Sequence, residues 1–131
     1  MEEPTVLVIE DDPVTRGLLE GILKVAHFRT MSAADAMEGV HKARMCPPDL
    51  IIMDLMLPGL NGRTAAEAFL NDPRFFRIPI LMLSASPDLE DAASAAGASE
   101  YMAKPFNPAE LVKMLRLLLS RKSVTRNLLT T

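Results

Sequence analysis

The chain has 131 residues, a formal net charge of -3, 49% hydrophobic and 24% charged residues, and a single cysteine, Cys46. That length supports one domain with a real core and is short for two. The charge offers no pull toward nucleic acid or an anionic membrane, and one cysteine leaves neither an internal disulfide nor a multi-cysteine metal site. No apolar run approaches the ~18 residues of a membrane span, and no basic stretch followed by an apolar segment opens the chain, so a cytoplasmic single domain is expected.

Thr5–Ile9 is a short β-branched run that predicts a first strand, and Glu10, Asp11, Asp12 and Pro13 follow it. Pro13 suits the first turn of a helix capped by Asp12 or a neighbour. Val14, Leu18, Leu19, Ile22, Leu23 and Val25 then recur at helical spacing through residue 26. Gly17 and Gly21 weaken that helix by roughly 1 kcal/mol each and leave a smooth strip where another helix can approach closely. Residues 28–31 predict a second strand, with His27 in the turn before it, and residues 33–45 a second helix. Pro47 and Pro48 lead stiffly into an apolar run, Leu50–Asp54, that ends in one carboxylate and is stopped by Pro58 and Gly59.

Gly62 opens a third helix to about residue 70, and Asn71, Asp72 and Pro73 break it. Residues 78–84 are a fourth apolar run, ending in the hydroxyl of Ser84. Residues 87–96 read as an alanine-rich helix closed by Gly97, and residues 99–103 as a fifth strand ended by Lys104 and Pro105. Asn107 and Pro108 start a last helix to about residue 120, with a domain over residues 1–120 and a tail or linker over 121–131. Leu111, Val112, Met114, Leu115, Leu117, Leu118 and Leu119 give that helix more apolar surface than one core stripe needs, which leaves two readings open: a contact with a second copy or a following domain, and plain core packing with a frayed end.

Five short strands alternating with five helices predict an α/β fold with a parallel sheet and helices on both faces. Every strand of such a sheet ends at one edge, so Asp11, Asp12, Asp54, Ser84 and Lys104 gather at one rim. Open α/β sheets bind ligands beyond those carboxyl ends, where the strand order reverses. Three carboxylates in one crevice repel, and oxygen-only ligation without His or Cys suits Mg2+ or Mn2+ rather than zinc. A neutralised Asp54 is then placed to attack phosphorus. The cation, Lys104, and Ser84 with nearby backbone N–H groups meet the phosphoryl oxygens.

Glu10-Asp11-Asp12, Asp54 followed by Leu57-Pro58-Gly59 and Gly62, Ser84-Ala85 and Lys104-Pro105-Phe106 stand in the order and spacing of a known family. Over about residues 5–119 the chain resembles a response-regulator receiver domain of two-component and phosphorelay signalling. The resemblance implies a doubly wound, flavodoxin-like (βα)5 sandwich with strand order 2-1-3-4-5. It implies Asp54 as phosphoacceptor, supplied by the phosphohistidine of a sensor histidine kinase or a histidine phosphotransfer protein. Mg2+ (or Mn2+) would be held directly by Asp12, largely through water by Asp11, and by Asp54 and the backbone carbonyl of Met56. Lys104 would pair with Asp54 and later with phosphoryl oxygens. Ser84 would move toward the phosphoryl group and Tyr101 would rotate inward. The face of the fourth helix, fifth strand and fifth helix would rearrange with them, offering a surface to a homodimer or a downstream effector. Pro105 stands at the family's cis-linked proline. Such a module catalyses only its own phosphorylation and dephosphorylation, and neither nucleic acid nor membrane is implied as a partner of this chain.

The chain departs from the family pattern at two places. Met56 stands two residues after the phosphoacceptor, where the family often has a polar residue, and predicts a long-lived phosphate by excluding the hydrolytic water. Ser84 stands where threonine is commoner. Two other readings stay open at this point: a receiver that binds partners without phosphorylation, and a haloacid-dehalogenase-type phosphohydrolase, whose D-x-D motif the adjacent Asp11 and Asp12 do not match.

Overall fold

A computed structural model describes residues 3–55, 62–85 and 98–130. The predicted helix over 87–96 and the turn holding Met56, Leu57, Pro58 and Gly59 lie outside them. The described elements run β1 (Thr5–Ile9), α1 (Pro13–Val25), β2 (Arg29–Ala33), α2 (Ala36–Met45), β3 (Leu50–Asp54), α3 (Gly62–Leu70), β4 (Ile80–Ser84), β5 (Glu100–Ala103) and α4 (Pro108–Thr130), the last being the fifth helix of the predicted series. The strands form one parallel sheet in the order β2-β1-β3-β4-β5, as expected.

Strand alternation divides the core into two layers, because successive side chains point to opposite faces. Val6, Val8, Leu50, Ile52, Leu81 and Leu83 pack with Leu19 and Leu23 of α1 and with Leu111, Leu115 and Leu118 of α4. Leu7, Ile9, Ile51, Met53, Ile80 and Met82 pack on the other face with Ala36 and Ala43 of α2 and Ala65, Ala66 and Phe69 of α3. Both layers are apolar, which is why β1, β3 and β4 read as unbroken hydrophobic runs.

The helix ends follow their caps. Asp12 accepts from the Thr15 backbone N–H at 3.0 Å, and Pro13 occupies the first helical turn of α1. At the other end His27 takes a positive φ of 68°, donating to Lys24 O while Phe28 donates to Leu23 O. This pair of bonds satisfies the last carbonyls of α1 and turns the chain into β2. The apolar periodicity of α1 is broader than its buried stripe, since Val14 is 78% and Val25 82% exposed.

Two boundaries differ from expectation. The second helix starts at Ala36 rather than near residue 33, because Ala33 pairs with Ile9 in β2 and accepts from Glu10 N, while Asp35 caps α2 by accepting from Glu38 N at 2.8 Å. The last helix does not end near Ser120 but continues to Thr130, with Arg121 Nη1 3.2 Å from Glu100 Oε1 of β5.

Gly39 allows α2 to lie close on the sheet. A Cβ there would stand 2.5 Å from Ile9 Cδ1 and 2.9 Å from Ile9 Cγ1, and Ile9 is buried in the layer that would have to shift. Gly39→Ala is therefore expected to cost about 1 kcal/mol net, overpacking of about 1–3 kcal/mol outweighing the better helix propensity of alanine. A denaturant midpoint unchanged or raised by the substitution would show that the layer yields more readily than this packing suggests.

Candidate functional site

The order in which strands join the sheet reverses between β1 and β3, so the crevice beyond their carboxyl ends is the place for polar groups. Ile9 pairs with Met53 in register, which brings the residues just beyond them side by side. Continuing the alternation of Val6 and Val8, Glu10 falls on the α1 side of the sheet, and continuing Leu50 and Ile52, so does Asp54. Lys104 follows Met102 on that same side, and its backbone N–H extends the β4–β5 ladder to Ser84 O at 3.0 Å.

These three side chains meet. Lys104 Nζ donates to Asp54 Oδ2 at 2.7 Å and to Glu10 Oε1 at 3.1 Å. Glu10 is 3% and Asp54 7% exposed, so the ammonium compensates two carboxylates largely removed from water. Burial pushes the Glu10 carboxyl up to about 7, helped by its hydrogen bond to and repulsion from Asp54, while Lys104 opposes the rise. Burial works against the charge of Lys104, but its bonds to Asp54 and Glu10 outweigh this and raise its pKa.

Oxygens of Glu10, Asp11 and Asp54 lie within 4.8 Å of one another, and Asp11 is exposed to solvent. Three carboxylates against one ammonium leave residual negative charge on an oxygen-only donor set, which fits a hard divalent cation. The structure brings together Asp11, Asp54 and Lys104 of the expected residues and does not bring Asp12 into the group. Asp12 accepts instead from Thr15 N at 3.0 Å and Thr15 Oγ1 at 2.5 Å, and these bonds hold its carboxyl below the usual range. The inner place expected for Asp12 is taken by Glu10. Counting the alternation of β1 from Val6 and of β3 from Leu50 would have pointed to Glu10 had the strand register been known.

Ser84 is buried at the end of β4, in register with Ala103. Tyr101 lies in β5 opposite Met82 and is 38% exposed. The Lys104–Pro105 peptide bond is cis. His27 and Cys46 are exposed and stand away from this edge, in the turn after α1 and the cap of α2. No helix among the described residues is long and apolar enough to cross a membrane.

The DNA-binding dual master transcriptional regulator RpaA of Synechocystis sp. is 37% identical over 120 residues, covering 90% of this chain and 50% of that protein. Hybrid signal transduction histidine kinase D of Dictyostelium discoideum is 37% identical over 122 residues, 92% of this chain and 8% of that protein. The chain thus spans half or less of the length of these curated relatives. Among solved structures, the receiver domain of sensor histidine kinase PA1611 from Pseudomonas aeruginosa PAO1 matches with a TM-score of 0.84 and 31% identity over 90% of this chain and 98% of that one. That structure holds a magnesium ion coordinated in its active site cleft. The family model described as response regulator receiver domain matches residues 6–116. A match that begins in β1 and ends in α4 takes in every strand of the sheet, and the chain belongs to the response regulator receiver domain family.

Proposed function

We propose that this receiver domain is a phosphorylation switch in which Asp54 accepts a phosphoryl group from the phosphohistidine of a sensor histidine kinase or a histidine phosphotransfer protein. The observation that carries this reading is the shared Lys104 ammonium, 2.7 Å from Asp54 Oδ2 and 3.1 Å from Glu10 Oε1, with Asp11 alongside. An Asp54 oxygen attacks phosphorus, the P–N bond to the donor imidazole breaks, and the imidazole leaves with the bonding pair and is protonated. Lys104 holds the Asp54 carboxylate in place before transfer and stabilises phosphoryl charge afterwards.

Glu10, Asp11 and Asp54 would hold Mg2+, with Asp12 kept at the helix cap; Mg2+, when bound, supplies charge neutralisation for the carboxylates and the phosphoryl oxygens. The Ser84 hydroxyl would donate to a phosphoryl oxygen, and an inward turn of Tyr101 would change the surface around β5 that a second copy or an effector reads. In this reading the chain acts catalytically only on its own phosphorylation and dephosphorylation.

The test is incubation with Mg2+ and a small phosphodonor, followed by intact mass. The wild-type chain is expected to gain one phosphoryl group and Asp54→Asn none; a wild-type chain that stays unmodified overturns the reading. For the Met56 expectation the measurement is decay of the phosphorylated form. Met56→Asn is expected to shorten its lifetime several-fold, and an unchanged lifetime removes any role for that side chain.

A further inference from the structure

We infer that Arg16 is a positioning residue for the acidic site, an assignment that rests on Asp54 being a Mg2+-dependent phosphoacceptor. One residue in the second turn of α1 engages three consecutive carbonyls of the acidic run. The Arg16 backbone N–H donates to Asp12 O at 2.9 Å. Its side-chain Nη1 donates to Glu10 O at 2.8 Å and reaches Asp11 O at 3.5 Å. Glu10 lies past the last registered pair of β1 and β3, Ile9 with Met53; its N–H is held by Ala33 O of β2, and Arg16 meets its carbonyl.

The chemistry of these contacts is specific. Arg16 bonds to the main chain of Glu10 and Asp11, so their carboxylate oxygens remain available where they converge with Asp54. One nitrogen, Nη1, carries two N–H donors and meets both carbonyls, at a reach one bond longer than a lysine ammonium has. Preorganising two ligands in this way spares a cation the ordering of the loop when it binds. The same positive charge near the site opposes a cation, so positioning and plain electrostatics make opposite predictions for its removal.

Calorimetric titration of the whole chain with Mg2+ separates them, using Arg16→Gln, which removes the charge, and Arg16→Lys, which keeps it on a shorter side chain. Positioning predicts Mg2+ affinity about tenfold weaker in both variants. It also predicts that saturating Mg2+ brings the rate of phosphorylation by a small phosphodonor back to within about twofold of wild type, since Arg16 touches no reacting atom. An Arg16→Gln chain that binds Mg2+ as tightly as wild type, or more tightly, overturns the inference. If Arg16→Gln does not fold, Arg16→Lys decides, and wild-type affinity in that variant is equally fatal. Failure of the wild-type chain to bind Mg2+ would overturn the underlying reading of the site as well, whereas a binding wild type with unaffected variants overturns only the role of Arg16.

Discussion

Lys104→Met is expected to lower unfolding free energy at neutral pH by about 3 kcal/mol, because it leaves two buried carboxylates without the cation that joins them. The stem of the side chain is conserved in length, so little of the loss comes from packing. Glu10 and Asp54 would then face each other without the Lys104 charge, and Glu10 would relieve the repulsion by holding its proton to still higher pH. The destabilisation should consequently be larger at pH 8 than at pH 5, as read from denaturant midpoints. The phosphorylation rate with a small donor should fall about a hundredfold, the usual cost of deleting one preorganised donor. Equal stability of Lys104→Met and wild type at pH 8 would mean that water, not Lys104, screens these carboxylates.

The second large effect is expected at Glu10, whose carboxyl is raised from 4.5 to about 7 in the folded chain, chiefly by burial. The folded state then binds more protons than the unfolded state between those values, so stability falls as pH rises through that window. The full difference is about 3 kcal/mol by linkage. Glu10→Gln fixes the neutral form and should make the metal-free protein about 2–3 kcal/mol more stable than wild type at pH 8, with little change near pH 4.5. The same substitution should weaken Mg2+ binding at least tenfold, because it removes one of the three gathered carboxylates. Asp12→Ala provides the contrast. It removes the cap of α1 and should lower Tm by a few degrees while leaving Mg2+ affinity within about twofold of wild type. Loss of Mg2+ binding in Asp12→Ala, with Glu10→Gln unaffected, would reverse the two roles.

The two residues differ in how far each was legible. Asp54 and Ser84 stand out because each closes an apolar run, and an apolar run buried on both faces is a local property that composition and turn residues reveal, while Lys104 stands out as the charge between a short strand and Pro105. Parallel crossovers follow from strands and helices alternating, and they bring those ends to one rim without any knowledge of contacts. The α/β architecture was therefore readable from residue order, as was the gathering of Asp54 and Lys104 at one edge. The role of Asp12 as a cap was readable too, since Asp before Pro at a helix start is a local signal.

Register was not readable in this way. Whether Glu10 or Asp12 stands beside Asp54 depends on Ile9 pairing with Met53, a hydrogen-bond choice between segments more than forty residues apart in the chain. Glu10 and Asp12 are two residues apart and share a strand parity, so alternation by itself does not choose between them; the pairing does, by ending β1 at Ile9 and leaving Asp12 to the cap of α1. The start of α2 has the same origin: Ala33 suits a helix, yet the bond from Glu10 N holds it in β2 and leaves Asp35 to cap. The continuation of α4 beyond Ser120, where Arg121 meets Glu100 of β5, has no apolar periodicity to announce it. Residue order laid down which groups reach the rim, while cross-strand hydrogen bonding selected which of three adjacent carboxylates faces Lys104, because that choice is made by distant backbone and not by the side chains themselves.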